Sequence, residues 1–555
     1  MNSEANKTWS RLPGDFFTPA TAEKAGIIEV RVGSSAPAPY TASFTWPDFS
    51  PVTALEYDSR QAGPGALYFA LPGLHVDGHD FIPDAVKRGT RAIVHQKELD
   101  SYCDGVLYIR VKDSRFAMSP VADAFYDFPS RRIGVIGVTG TEGKSTTVYL
   151  IYQLLKLLGK KTGFISTVQY ADGISENWNS EHQTTPEAAT IHRLLAEMCA
   201  NGVEFVVLEA SSHGLSKRTN RLGDVNFDVG VMTNVTHDHL EFHGTWEQYR
   251  SDKAELFRSL DTPTSFKNKQ LPTMALPLSS FGVVNADDPS ADYFAASTRH
   301  KTYRFSTKGA RADLSLRLTE SGSGGNSYEV FVEATGVTLA LRDKLPGAFN
   351  AGNVTASLLV VSNLLSMDIE AIAPLVQQLQ PVRGRMTIVE QGQPFEVLVD
   401  YAHTPSSFEA VLPPLRERLN AAGGRLITLF GSPGERDTQK RFLQGEVAGL
   451  YSDIVVLTDE DPRGEDPMFI LEEIAKGCFA VSGGKAVMAR DETLFLIPDR
   501  PQAIRKAFSL AAKGDIVVLL GKGHENSIIY ADRTMTYDEI KEAETALAEM
   551  GYKGR

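Results

Sequence analysis

Residues Ile133–Leu150 read I-G-V-I-G-V-T-G-T-E-G-K-S-T-T-V-Y-L, and no other stretch constrains the fold as strongly. A run of β-formers stops at a glycine-rich turn, and a lysine followed by hydroxyl residues opens a helical pattern. That order lets backbone N–H groups and a helix N-terminus surround phosphate oxygens while Lys144 supplies positive charge. Ser145 or Thr146 then stands where a phosphate-binding loop holds a magnesium ion. The spacing departs from G-x4-G-K-[ST], because Val138 occupies the place of the first glycine, with Gly137 and Gly140 on either side. A tight glycine turn without a ligand is the plain alternative; Lys144 and Ser145 directly after the last glycine favour a nucleotide.

At 555 residues the chain is too long for one core, and three domains of ordinary size are expected. A formal charge of −13 leaves no basic surplus to replace the counterions of nucleic acid, so no nucleic-acid partner is expected. Cys103, Cys199 and Cys478 are scattered without metal or redox spacing, which suits a reducing compartment. The start MNSEANKTWSRLPGDF lacks an apolar signal core, and no uninterrupted apolar run has the length of a membrane span. The expectation is a cytoplasmic monomer with no membrane partner.

The fold class expected is α/β in three domains. Residues 1–50 are rich in Pro, Ala and Ser and read as an extension with weak structural instruction. Residues 51–130 carry a smaller N-terminal α/β pattern, with LYFAL and RAIVH as strands around a helical FIPDAVKRG. Residues 131–380 alternate strands (EFVVLEA, VGVMTNV, FGVVNA) with amphipathic helices (TIHRLLAEMCANG, WEQYRSDKAELFRSL), which predicts a P-loop-type, mostly parallel sheet covered on both faces. A β-rich stretch (DLSLRLTE, YEVFVEA, VTLALR) interrupts it. Residues 381–555 bring a third, Rossmann-like series: FEVLVDYA, RLITLFG, DIVVLTDE and DIVVLLG. Ligand-binding loops in such sheets belong at the C-terminal ends of strands, and the polar clusters lie there.

Glu209 ends VVLEASSH and His239 ends MTNVTHDH, each just past an apolar strand. A carboxylate and an imidazole at neighbouring strand ends can hold a magnesium ion or orient its waters, and magnesium takes few protein ligands. His237, Asp238, His239 and His243 raise zinc as an alternative, although no cysteine or helical H-E-x-x-H frame accompanies them. Polar caps on a strand end and a helix start are the bland reading. Lys253 lies in the helical pattern W-E-Q-Y-R-S-D-K-A-E-L-F, where a lysine is ordinarily a solvated surface charge.

An ordered set of motifs gives these residues a family. D-S-R stands at Asp58–Arg60, D-G-H-D-F at Asp77–Phe81, G-T-E-G-K-S-T-T at Gly140–Thr147, T-T-P at Thr184–Pro186 and E-A-S-S-H at Glu209–His213. T-N-V-T-H-D-H-L follows at Thr233–Leu240, Y-R-S-D-K at Tyr249–Lys253 and N-A-D-D at Asn285–Asp288. G-R-M at Gly384–Met386, D-Y-A-H-T-P at Asp400–Pro405 and G-K-G-H-E at Gly521–Glu525 complete the series. In this order the chain resembles the Mur ligases, the ATP-dependent amide-forming enzymes of peptidoglycan precursor synthesis, and is similar to the branch that adds the third peptide residue.

The resemblance implies ATP and Mg2+, with a UDP-N-acetylmuramoyl dipeptide and a diamino acid as the other substrates. It assigns Gly140, Thr141, Gly143, Lys144, Ser145 and Thr146 to the ATP phosphates, and Asn285, Arg385, Asp400 and His403 to the nucleotide. Ser145, Glu209 and His239 would serve the metal, and Lys253 would be the family's carbamylated lysine, N6-carboxylysine, lending an anionic oxygen. Lys144, Glu209, His239 and Lys253 form the implied catalytic set. Ser59 and Arg60 would face the uridine end of the substrate; Thr184, Thr185, Ser211, Ser212 and Arg221 would take its phosphate and peptide. Glu142 departs from the Asn often found in this loop, and two extra residues between His213 and Arg221 leave Arg218 as a competitor for the last role.

Arg436, Asp461, Arg463, Gly521 and Glu525 match the positions that hold the incoming amino acid. Asp461 replaces the Asn of a D-N-P-R pattern, which with Glu525 favours a distal ammonium, whereas Arg463 suits a distal carboxylate. Meso-diaminopimelate, lysine and ornithine all remain open. An acidic strand-ending turn is the plain alternative for T-D-E-D-P-R. A folate-polyglutamate ligase is the nearest rival, and Asp58–Arg60 speaks against it; a non-catalytic nucleotide-binding relative is the other, and the presence of Lys144, Glu209, His239 and Lys253 speaks against that.

Overall fold

The computed structural model describes residues 9–73, 76–179, 184–236, 240–261, 269, 271, 277–322, 324–480 and 488–554. The chain divides into two compact units. The first runs to Ser306 and adds Ala310–Asp313 and Ala356–Ile369; the second holds Thr307–Gly309, Leu314–Thr355 and Glu370–Arg555.

The first unit contains two sheets. In the N-terminal one, Ala54–Glu56, Ala66–Phe69, Ala92–His95 and Leu107–Val111 pair in parallel, as the alternation of short apolar runs and helix predicts. The first fifty residues differ from expectation. Ile27–Val32 pairs antiparallel with Leu107–Val111 and extends this sheet, and Ala38–Pro39 pairs on its outer side. The physical reason is aromatic anchoring hidden among the Pro, Ala and Ser. Phe17 stacks on Trp46 with ring centroids 4.9 Å apart, and Phe16 meets Phe125 edge-on at 5.2 Å. Arg11 donates to the Ala124 and Phe125 carbonyls at 2.6 and 3.0 Å, closing the end of the helix Ser114–Phe125.

The second sheet places Gly134–Thr139 at its centre, between Phe205–Glu209 and Val229–Met232, with Thr162–Ile165, Phe281–Asn285 and Thr302–Ser306 further out. These six strands pair in parallel, and a small antiparallel hairpin, Gln169–Ala171 with Glu176–Trp178, closes the Thr162–Ile165 side. Burial on both faces explains their unbroken Val and Ile runs. The helix Ala188–Ala200 lends Ala188, Ala189 and Ala196 to the N-terminal core, so the N-terminal and central sheets share one compact unit.

In the second unit, Leu314–Gly322, Gly325–Val332 and Val337–Arg342 form an antiparallel meander, the β-rich stretch that interrupts the strand–helix alternation in the sequence. Its main sheet runs Thr387–Ile388, Glu396–Asp400, Ile516–Leu520, Leu426–Phe430, Ile454–Leu457, Leu494–Leu496, parallel except for the first pair. Among the described residues no single helix is long and apolar enough to cross a membrane.

Candidate active site

The glycine turn begins two positions later than the usual phosphate-loop spacing because Val138 is a fully buried residue of the strand Gly134–Thr139. The first loop glycine is therefore Gly140. A Cβ there would fall 1.9 Å from Thr233 Oγ1, so no other residue fits. Gly143, at φ +81°, ends the turn and caps the helix Lys144–Leu157. Asn234 clamps the loop: its carbonyl accepts from Thr141 N at 2.8 Å, its side-chain oxygen accepts from Glu142 N at 2.9 Å, and its Nδ2 donates to the Glu142 carbonyl at 3.1 Å. Glu142 enters this clamp through its backbone, so the departure from Asn leaves the loop geometry intact. Lys144 Nζ lies over the turn, donating to the Thr141 carbonyl at 2.7 Å.

Ser145 Oγ donates to Glu209 Oε2 at 2.9 Å, and the same oxygen accepts from Thr167 N at 2.9 Å. Glu209 is 4% exposed. A hydroxyl and a carboxylate at a helix N-terminus are hard oxygen donors in the small number that magnesium takes from protein, so these residues fit that ion. Thr146 is buried in the same first turn. Lys253, 1% exposed on the helix Trp246–Ser259, is no surface charge; its Nζ donates to the Gly140 carbonyl at 2.6 Å and lies over the Tyr249 ring. Asn285 Nδ2 donates to the Thr233 carbonyl at 2.9 Å, which ties it to the strand end behind the loop.

His237, Asp238 and His239 lie outside the described residues. His243 is committed elsewhere: Nδ1 lies 2.7 Å from Asp252 Oδ2 and Nε2 3.0 Å from Ser212 Oγ. With the carboxylate accepting from Nδ1–H, Nε2 accepts from the Ser212 hydroxyl. A zinc site would have to break these bonds, and the described residues hold no group of three or more His, Cys, Asp or Glu suited to a metal. The sequence pointed to His243 as a polar residue but not to its partners, which lie 9 and 31 positions away.

Thr185 Oγ1 donates to the Glu209 carbonyl at 3.0 Å and lies 2.9 Å from Ser211 Oγ, which caps the turn Ser212–Leu215. Arg221 donates to the Thr185 carbonyl at 2.9 Å, so it shares this cluster, while Arg218 stacks over Phe242 and donates to that residue's carbonyl. Thr184 is half-buried beside Thr185. Ser59 and Arg60 lie on the exposed turn after the strand Ala54–Glu56; the Arg60 guanidinium pairs with Asp58 at 2.7 Å, and that hydrogen bond holds the Asp58 carboxyl below its ordinary value.

In the second unit, Asp400 is buried and accepts from Met386 N and Ala402 N, both at 2.7 Å, so its carboxylate ties the backbone next to Arg385 to the backbone next to His403. Burial raises its pKa, and the Arg385 guanidinium opposes that rise. Arg385 lies over the Tyr401 ring, and His403 Nδ1 is 3.0 Å from the Tyr401 carbonyl.

Asp461 follows the strand Ile454–Leu457, and Gly521 and Glu525 follow Ile516–Leu520, on either side of Leu426–Phe430; the sequence passed over the group that joins them. Lys522, 0% exposed, donates to Asp461 Oδ1 at 2.8 Å and to Glu525 Oε2 at 2.5 Å. Burial works against its charge, yet the two carboxylates hold its pKa above the ordinary lysine value. Glu460, also passed over, lies against Gly521; burial pushes its carboxyl up to about 7, and its Oε2 has no hydrogen-bond partner. Arg463 sits at φ +54° with its Nε buried and without a hydrogen bond. Arg436 is exposed on the preceding loop.

Comparison with known proteins gives the chain a family. The chain matches the Mur ligase family catalytic domain over residues 51–126, the Mur ligase middle domain over 138–361 and the Mur ligase glutamate ligase domain over 384–523. It is 49% identical over 515 residues to the UDP-N-acetylmuramyl-tripeptide synthetase of Treponema denticola, covering 89% of this chain and 93% of that one. Against a UDP-N-acetylmuramoyl-L-alanyl-D-glutamate–2,6-diaminopimelate ligase of Geobacillus thermodenitrificans, identity is 38% over 499 residues, covering 90% and 95%. A solved structure of a ligase of that last kind superimposes with a TM-score of 0.56 at 26% identity, covering 93% of this chain and 98% of that one. Matched over most of its length, with the three domains in order, the chain belongs to the Mur ligase family of ATP-dependent amide-forming ligases.

Proposed function

We propose that the protein joins a diamino acid (meso-diaminopimelate, lysine or ornithine) to UDP-N-acetylmuramoyl-L-alanyl-D-glutamate, with ADP and phosphate as co-products, in making peptidoglycan precursors. It acts as a monomer in the cytoplasm. One observation carries the reading. Glu209 meets Ser145 of the phosphate turn through its side chain and Thr185 through its carbonyl, so one strand end serves both the nucleotide and the acyl substrate.

A carboxylate oxygen of the acyl substrate attacks the γ-phosphorus of ATP; the bond to the bridging oxygen breaks, leaving an acyl phosphate and ADP. The amine then attacks the acyl carbon, the carbon–oxygen bond to phosphate breaks, and the amine loses a proton. Lys144 and the N-terminus of its helix offset the charge where two anions meet. Ser145 and Glu209, with His239 and a carbamate on Lys253, would hold a magnesium ion, which would supply the remaining positive charge. The carboxylates of Glu460, Asp461 and Glu525 outnumber Lys522, which suits an amino acid carrying an extra ammonium, and the buried Nε of Arg463 suits a carboxylate.

Phosphate release from the purified protein, given ATP, magnesium, the UDP-muramoyl dipeptide and each diamino acid in turn, tests this. At least one of the three should drive turnover. No ADP with any of them refutes the reading, and preference for a neutral side chain refutes the charge argument.

A further inference from the structure

Beside Thr185 two arginines from distant parts of the chain meet on one carboxylate. Glu187 Oε1 accepts from Arg115 Nη1 at 2.5 Å and from Arg221 Nη2 at 2.9 Å. Arg115 is fixed further by a bond from Nη2 to the Pro72 carbonyl at 3.2 Å, and Arg221 by its bond to Thr185. The side chains of Arg115, Arg221 and Glu187 are 22%, 13% and 6% exposed. One carboxylate balances one guanidinium, so a full positive charge remains in a largely desolvated place. The helix ends here add to it. Arg115 lies in the first turn of the helix Ser114–Phe125, and Glu187 is the N-cap residue of Ala188–Ala200 but makes no capping bond with its side chain. A cation in a helix's first turn opposes the helix dipole, which makes this arginine costly for the fold alone. The Nε of Arg221 is buried without a hydrogen bond.

We infer that Arg115 joins Arg221, the arginine that the family resemblance assigns to the acyl substrate, in a paired-guanidinium subsite for one of that substrate's oxyanions, with Glu187 as the positioning residue that holds both forks in register. The inference rests on the function proposed above. Its ligand is a carboxylate or a phosphate, the two groups that paired guanidinium N–H bonds fit. In the proposed substrate these are the carboxylate that does not react and the sugar diphosphate. The chain of contacts from Ser145 through Glu209 and Thr185 to Arg221 places the subsite next to the phosphate turn.

Steady-state kinetics of Arg115→Ala, Arg115→Lys and Glu187→Gln test it, with UDP as a competing ligand. Arg115→Ala should raise the KM for the UDP-muramoyl dipeptide about tenfold or more, leave the KM for ATP unchanged, and be partly rescued in Arg115→Lys. Glu187→Gln should raise the same KM less, through misplaced forks. If Arg115→Ala also weakens inhibition by UDP, the bound group is the diphosphate; if inhibition is unchanged, it is the carboxylate. An unchanged KM for the dipeptide in a folded Arg115→Ala protein, or equal rises for dipeptide and ATP, overturns the subsite. A wild-type protein inert with the dipeptide overturns the underlying function instead.

Discussion

Lys253 Nζ donates to the Gly140 carbonyl at 2.6 Å, across 113 positions of sequence, and so binds the helix Trp246–Ser259 to the first glycine of the phosphate turn. A carbamate formed on this buried amine would bring an anionic oxygen to the Gly140 carbonyl, in the turn proposed to hold the triphosphate. Lys253→Ala should therefore lower kcat about 100-fold or more, the scale of losing one electrostatic stabiliser, with a smaller effect on the KM for ATP. Wild-type protein in 13C-bicarbonate should show a carbamate carbon signal that the variant lacks. Full activity in Lys253→Ala would remove this lysine from the mechanism.

Much of this was legible in the chain. The strand runs of all three sheets, the phosphate turn and the family itself follow from local patterning and ordered motifs, because period and punctuation are local properties. What stayed hidden is long-range. The first fifty residues read as an extension because their aromatics are scattered, yet Phe17 and Trp46 stack on each other from 29 positions apart and Phe16 packs on Phe125 of the helix Ser114–Phe125. Lys522 was visible within G-K-G-H-E, but only the fold shows that its ammonium stands between Asp461 and Glu525. Arg115 had no motif to mark it, since its partner Glu187 is 72 positions away.

Lys522 fixes the charge of the proposed amino-acid pocket. Lys522→Met removes the cation and leaves two carboxylates facing each other, one of the costly ways to break a buried pair, at about 3 kcal/mol or more. The variant should melt lower than wild type and show a KM for the diamino acid raised about tenfold. Adding Asp461→Asn to it should restore much of the melting temperature. An unaltered melting temperature in the single variant would mean that the pair contributes nothing net.

The Ser212–His243–Asp252 chain of hydrogen bonds joins the turn Ser212–Leu215 to the residue before Lys253. His243→Ala leaves a buried carboxylate and a buried hydroxyl without their partner, which should cost about 1 to 3 kcal/mol of stability. Ser212→Ala removes one end only and should cost less. The order of their melting temperatures checks this, and a larger loss in Ser212→Ala would contradict it.

Asp123 and His192 set up an opposed pH response in the first unit. Both are buried, at 4% and 0% exposure, with His192 Nδ1 3.5 Å from Asp123 Oδ1, too far for a hydrogen bond. Burial pushes the Asp123 carboxyl up to about 7, with Asp224 adding and Arg131 opposing, and pushes His192 down to about 4. The folded protein keeps a proton on Asp123 that the unfolded chain has lost, so this group's contribution is full below the ordinary carboxylate value and lost as pH rises through about 7. His192 runs the other way: its contribution is full above the ordinary imidazole value and lost as pH falls towards about 4. Asp123→Asn keeps the shape and removes only the acidic response. The variant should therefore gain on wild type by about 2 to 3 kcal/mol between about pH 5 and about pH 8, read from unfolding curves at both. A difference that does not change with pH would mean that Asp123 ionises in the fold as it does in water, and that a counter-charge such as Arg131, 3.7 Å away, outweighs the burial.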